Sequence, residues 1–175
     1  MVAPTPAAAS MQRAFMFTDI VKSTDLVAAI GDESWVSARA WHDRALRDLF
    51  RAHAGEEINH TGDGFFVAFA DAPTAIACAI EIQRTLERQR REQGFALPVR
   101  IGLHATTALR TTEDYAGRGV HEAARIAAVA QGSEIVASQA ALALAPAGTP
   151  AGEARSVDLK GLIDPVQVAA IDWRR

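Results

Sequence analysis

The 175-residue sequence predicts an α+β domain in which helices pack on a sheet containing antiparallel strands. Three observations predict it. Strand-like and helix-like segments alternate along the chain. Two extended runs at 56–69 are joined by the Gly/Asp turn "TGDG", and such a hairpin demands antiparallel pairing, unlike a doubly wound parallel sheet. A composition 49% hydrophobic and 22% charged supports one sizeable core.

Each element has a local reason. Residues 1–12, beginning "MVAPTPAAAS", are rich in Ala and Pro, lack the basic start and apolar run of a signal peptide, and read as a loose tail before a single domain at 13–175. "AFMFTDI" at 14–20 reads as a buried strand, and "KSTDLVAAIG" at 22–31 as a short helix stopped by Gly31. A long helix follows over 32–55, with an Asp cap, an apolar ridge at Leu46, Leu49 and Phe50, and Gly55 as its stop. After the hairpin, Pro73 sits near the first turn of a helix ending at Gly94, with Ile76, Ile80 and Leu86 along one face. The strand "LPVRIGLHA", a polar connection at 106–119 and the small-residue helix "VHEAARIAAVAQG" come next. Short strands at "EIVAS", "ARSVDLKG" and "VQVAAIDW" close the chain around a flexible "APAGTPAG".

A net charge of −3 without a long basic cluster speaks against nucleic acid as a partner. No apolar run approaches the ~20 residues of a membrane span. The single cysteine, Cys78, excludes an intramolecular disulfide, reads as a small buried thiol, and suits a reducing, cytoplasmic setting.

Chemistry concentrates around two aspartates. Asp19 follows an apolar strand and precedes a Ser/Thr pair; a desolvated carboxylate is costly unless paired or holding a metal, so it is either a capping acid or a chemical group. Asp63 sits in the hairpin turn, flanked by glycines that let a ligand or metal approach the backbone. If the first strand lies beside the hairpin, the two acids meet at one end of the sheet; with no basic residue between them they favour a hard divalent cation, Mg²⁺ or Mn²⁺. In "IVKST", the backbone N–H groups around Val21, Ser23 and Thr24 would open a helix and cradle phosphate. Metal plus phosphate suggests a nucleotide.

"FTDIVKST", "TGDGFFVAF", "VRIGLH", "DYAGRGVHEAARI" and "LKGLIDPVQV" occur in the order found in class III nucleotide cyclase catalytic domains, which the chain resembles from about Phe15 to Trp173. The resemblance implies a ferredoxin-like core, a head-to-tail homodimer, and shared sites that convert a nucleoside triphosphate to a 3′,5′-cyclic monophosphate and pyrophosphate. It implies Asp19 and Asp63 as ligands of two divalent cations, with the Ile20 carbonyl as a further ligand. Arg125 of the other subunit then stabilises charge on the pentavalent phosphorus, and Lys160 holds the terminal phosphates, a role also matched to Arg110. Two positions depart from the common pattern. Asn59 stands where the family uses a base-reading lysine, with Asp114 kept as its partner acid; the pair can satisfy adenine or guanine, and Asp114 tips the reading towards ATP. His121 stands where an asparagine orients the ribose, one helical turn from Arg125, and it brings a group that titrates near neutrality. An adenylate cyclase is expected, with a guanylate cyclase or a catalytically silent cyclase-like signalling domain as alternatives. His42 and His53 read as packing or surface groups, His60 and His104 as strand residues without metal-ligand spacing, and Trp35, Trp41 and Trp173 as core or dimer contacts.

Overall fold

The computed structural model describes residues 9–112 and 114–175. Its centre is a mixed eight-stranded sheet in the order β2-β3-β1-β4-β6-β8-β7, with β5 paired to β4. The strands are β1 (Ala9–Ile20), β2 (Glu56–Thr61), β3 (Gly64–Phe69), β4 (Val99–Arg110), β5 (Tyr115–Ala116), β6 (Ile135–Ser138), β7 (Arg155–Val157) and β8 (Val166–Ala170). The helices are α1 (Ser23–Ile30), α2 (Asp32–Ala52), α3 (Ala72–Gln93), α4 (Arg118–Val129) and α5 (Gln139–Leu142). Pairing is antiparallel except for β4 with β6, so the expected α+β class holds.

Strand alternation explains the two layers. Phe15 and Met16 are consecutive and both fully buried, one on each face of the sheet. Met16, Phe65, Val67 and Phe69 face the layer that contains Leu46 and Phe50 of α2 and Ile76 and Ile82 of α3. Phe15, Phe66 and Ala68 face the other side, where Ala123 of α4 packs. Asp71 caps α3 by accepting from the Thr74 N–H at 2.8 Å, with proline near the first turn as expected.

Several boundaries differ from the sequence expectation: β7, β8 and α2 are shorter than expected, and the β1–β4 ladder is longer. Residues 1–8 of the expected tail lie outside the described residues, but 9–12 belong to β1, whose register runs from Ala9↔Arg110 to Ile20↔Val99. The same pairing carries β4 through Thr106–Arg110, a stretch expected as polar connection. Long-range ladder bonds override the weak local strand signal of "ASMQR" and "TTALR". α5 was not foreseen; Ser138 caps it through the Ala141 N–H at 3.2 Å.

Candidate active site

Asp19 is the penultimate residue of β1, opposite Gly64, and the Ile20 N–H donates to the Asp63 carbonyl at 3.0 Å, so both acids lie at one end of the β1–β3 pair. Gly64 has a different role from the one expected. A Cβ there would sit 2.2 Å from the Thr18 carbonyl, so this glycine lets β3 close on β1 beside Asp19, rather than opening space for a ligand.

The acids are not free of basic partners. Arg100 sits opposite Asp19 on β4 and donates to Asp19 Oδ2 from Nε at 3.0 Å and from Nη2 at 2.6 Å. Its Nη1 reaches the Ala128 carbonyl at the end of α4, at 3.1 Å. Arg39, on α2, donates to Asp63 Oδ1 at 3.1 Å and to Asp43 Oδ1 at 3.0 Å, while its Nη2 lies 3.2 Å from His60 Nε2. The expectation that no basic residue separates the carboxylates is therefore corrected: each has its own arginine.

Asp43 lies beneath. Burial works against its ionised form, but hydrogen bonds from His42 and Arg39 hold its carboxyl below the ordinary value. His60 stacks on Phe65 at 4.2 Å, and burial lowers its pKa. His42 is a core histidine, 1% exposed, whose Nε2 has no partner among the described residues.

Arg39 and Arg100 each engage one oxygen of their aspartate, so Asp19 Oδ1 and Asp63 Oδ2 receive no protein donor among the described residues. Both side chains are about one-third exposed. Among those residues no group of three or more His, Cys, Asp or Glu is placed to hold a metal ion. Each carboxylate therefore has one oxygen to offer a cation whose other ligands are water and substrate phosphate.

A cleft of about 260 Å³ opens here, lined by Asp19, Asn59, Arg100, Phe17 and the α4 alanines Ala124 and Ala128. Asn59 is exposed on β2 opposite Phe66, which stacks on Phe17 at 4.4 Å. On α4, His121 is exposed and Arg125 is partly buried one turn later. The Arg125 guanidinium lies against Gly161, φ +82°, so helix α4 and the loop bearing exposed Lys160 come together. Asp114 is in the β4–β5 turn, with Oδ1 accepting from the Tyr115 N–H at 2.7 Å. Ser23 and Thr24 open α1, whose N-terminus carries no side-chain cap.

Two of the expected residues have other partners in this chain. The Val21 N–H donates to the Pro98 carbonyl at 2.9 Å, which removes it from any phosphate cradle. Arg110 lies at the Ala9 end of β1, ten positions from the Asp19 register, and is held by both oxygens of Glu56 at 2.7 and 2.6 Å and over the Tyr115 ring at 4.6 Å. The Glu56 hydrogen bonds hold the Arg110 pKa above its ordinary value. Arg39 and Arg100 are the residues the sequence reading missed. Helical i, i+4 spacing of Arg39 and Asp43 was the available signal for the first; only strand register reveals the second.

Fold and site together define a nucleotide cyclase catalytic domain. The model of the adenylate and guanylate cyclase catalytic domain family matches residues 7–167, and the chain belongs to that family. It is 32% identical over 168 residues to receptor-type adenylate cyclase B of Leishmania donovani, covering 72% of this chain and 12% of that protein. It is also 32% identical over 146 residues to an uncharacterised protein of Mycobacterium tuberculosis, covering 82% and 48%. The chain thus spans about an eighth and about half of these relatives. Among solved structures, the guanylyl cyclase Cya2 matches with a TM-score of 0.84 at 22% identity, over 94% of this chain and 93% of that one. Adenylate cyclases of Trypanosoma brucei, solved in their monomeric state, match with a TM-score of 0.79 at 26% identity, over 92% and 88%. Among the described residues no helix is long and apolar enough to cross a membrane.

Proposed function

We propose that the chain is an adenylate cyclase unit, converting ATP to 3′,5′-cyclic AMP and pyrophosphate by attack of the ribose 3′-hydroxyl on the α-phosphate, in a head-to-tail dimer whose sites take residues from both copies. The observation that carries this reading is the placement of Asp19 and Asp63 at one end of the β1–β3 pair, each with one carboxylate oxygen that accepts no donor among the described residues, and of Asp19 in the cleft. The adenylate cyclase relatives at 32% identity favour ATP.

Asp19, Asp63 and the Ile20 carbonyl would hold two divalent cations, Mg²⁺ or Mn²⁺, whose charge lowers the pKa of the 3′-hydroxyl and offsets that on the α-phosphate and the departing pyrophosphate. Arg100 and Arg39 hold one oxygen of each carboxylate from β4 and from α2. Ser23 and Thr24 offer N–H groups at the uncapped start of α1 to phosphate oxygens. From the second copy, Arg125 presents several donors to the phosphoryl oxygens where charge grows, and neighbouring Lys160 meets the terminal phosphates. Asn59 and Asp114 read the base edge, and His121 positions the ribose.

A second reading is a silent cyclase-like domain that binds nucleotide and signals by association. Asn59 and His121, in place of the lysine and asparagine the resemblance calls for, favour it.

The test is incubation with ATP or GTP in Mn²⁺ and in Mg²⁺, with chromatographic identification of product. Asp19→Ala and Arg125→Ala are each expected to be inactive, and their mixture to recover activity, because one heterodimer site keeps both intact halves. A parent chain that binds nucleotide without forming cyclic product supports the silent reading, and confirmed heterodimers without recovery refute the shared site.

A further inference from the structure

His104, on β4, is 6% exposed, and the mechanism above makes no use of it. Its Nε2 lies 3.1 Å from Oε2 of Glu122, on α4, and its Nδ1 lies 2.9 Å from Oγ of Ser138, the last residue of β6. Ser138 accepts the Ala141 N–H that begins α5. The other Glu122 oxygen accepts from Arg118 Nε at 2.8 Å. One helix and two strands are thereby tied through a single imidazole.

Serine, histidine and glutamate in this order resemble a nucleophilic triad, but Ser138 is 1% exposed and its oxygen caps a helix, which closes it to substrate. The hydrogen-bond accounting points elsewhere. With Ser138 donating to Nδ1 and Nε2–H donating to an ionised Glu122, every polar atom of the chain is satisfied and the imidazole is neutral. Burial also lowers the His104 pKa, against the opposing pull of Glu122.

The mechanical consequence follows from where Glu122 stands, between His121 and the next turn, which carries Arg125. Gly102, two residues before His104, lets α4 press onto β4: a Cβ there would lie 2.3 Å from the Ala127 nitrogen. Apolar contact brings the helix to the strand, yet alanine-rich packing around Ala123 and Ala127 leaves its rotation and slide weakly specified. A directional bond between buried polar groups specifies both.

We infer that Glu122 and His104, backed by Ser138, are positioning residues that fix the register of α4 on the sheet and so hold Arg125 and His121 in line with a triphosphate bound to the other copy. This rests on the composite-site reading above. It makes a prediction specific to one half of that site, which a general stability role would not.

Glu122→Ala leaves the buried Nε2–H without an acceptor, whereas Glu122→Gln keeps one. Expected for Glu122→Ala is a loss of about 10- to 100-fold in cyclase rate, the scale of a misplacement near 1 Å, with recovery in Glu122→Gln. Mixed with Asp19→Ala chains, Glu122→Ala should regain activity, since the heterodimer pairs its intact aspartates with an undisturbed α4. Mixed with Arg125→Ala chains it should not. If Glu122→Ala fails to fold by circular dichroism, Ser138→Ala gives the same readout from the other end of the chain. Folded Glu122→Ala with parental activity, or equal recovery with either partner, overturns the inference, as does the unfolding of both variants, which would make the contact one of general stability. Asp19→Ala with Arg125→Ala serves as the control: if that pair fails to recover, the shared site itself is wrong and the failure belongs there.

Discussion

Asn59 faces the cleft with an amide, which can donate to adenine N1 or to guanine O6, so the residue alone does not choose a purine. A carboxylate would. Glu at this position has only acceptors; it takes N1–H and N2–H of guanine but opposes the N1 lone pair of adenine. Asn59→Glu is therefore expected to raise the ratio of GTP to ATP turnover by at least about 10-fold, the scale on which an unpaired base edge is rejected. Competition of the two nucleotides with chromatographic readout of both products checks it, and an unchanged ratio would remove Asn59 from base recognition. At this scale much of the candidate site was legible in the chain. Asp19 stands out by following an apolar strand and Asp63 by its glycine-flanked turn, whereas Arg125 and Lys160 are singled out only by the family resemblance. Arg100 and Arg39 do not stand out, because their partners are 81 and 24 residues away and only topology brings them together. The pairing of Arg110 is illegible for the same reason: nothing local says that Glu56 of another strand will take both its branches.

Helix α4 depends on one missing side chain. At Gly102 an added Cβ would meet the Ala127 nitrogen at 2.3 Å and its Cα at 2.4 Å, backbone atoms that can yield only if the whole helix lifts. Gly102→Ala should cost about 1–3 kcal/mol, the range for overpacking, measured as a lower urea midpoint with unchanged slope. Cyclase rate should fall further than the folded fraction, because lifting α4 displaces Arg125 and stretches the Glu122 contact. Rate falling only in proportion to folded protein would show that helix placement is not limiting. Element existence was readable because β1 and β3 are centred on apolar runs and α3 opens on a capped proline turn and stops at Gly94. The first five residues of β1 and the last five of β4 were not, since each is a strand only in the other's company. The four-residue α5 leans on a serine cap that also serves His104, a double use no local pattern reveals.

For the whole molecule, buried histidines and paired carboxylates give stability two separate dependences on pH. His104 and His60 have folded pKa values below the ordinary 6.5, in both cases chiefly because burial penalises the cation. An unfolded chain then binds protons at a pH where the folded one does not, so stability is fully present above about 6.5 and declines as pH falls towards the depressed folded values. His104 faces Glu122 from α4 and Ser138 from β6, and His60 faces Arg39, Asp43 and Arg47 from α2 and Glu57 from its own strand. The carboxylates act lower. Glu56 is held down by its hydrogen bonds from Arg110, Asp71 by its helix-capping bonds to Thr74, and Asp43 by His42 and Arg39 against the effect of burial. Their contribution is present above the ordinary values of 3.8 and 4.5 and is lost as pH falls through the lowered ones. Urea midpoints measured across this range should therefore be level from pH 8 to about 7, decline as pH falls below about 6.5, and fall more steeply below about 4.5. His104→Gln, which retains a donor and an acceptor at the centre of the buried chain, should flatten the first decline without abolishing it, because His60 still titrates, and leave the second untouched. A parent protein whose midpoint does not move between pH 7 and 5 would mean that protonating His104 costs nothing. The buried Ser138–His104–Glu122 chain would then not require the neutral imidazole that its hydrogen bonds imply.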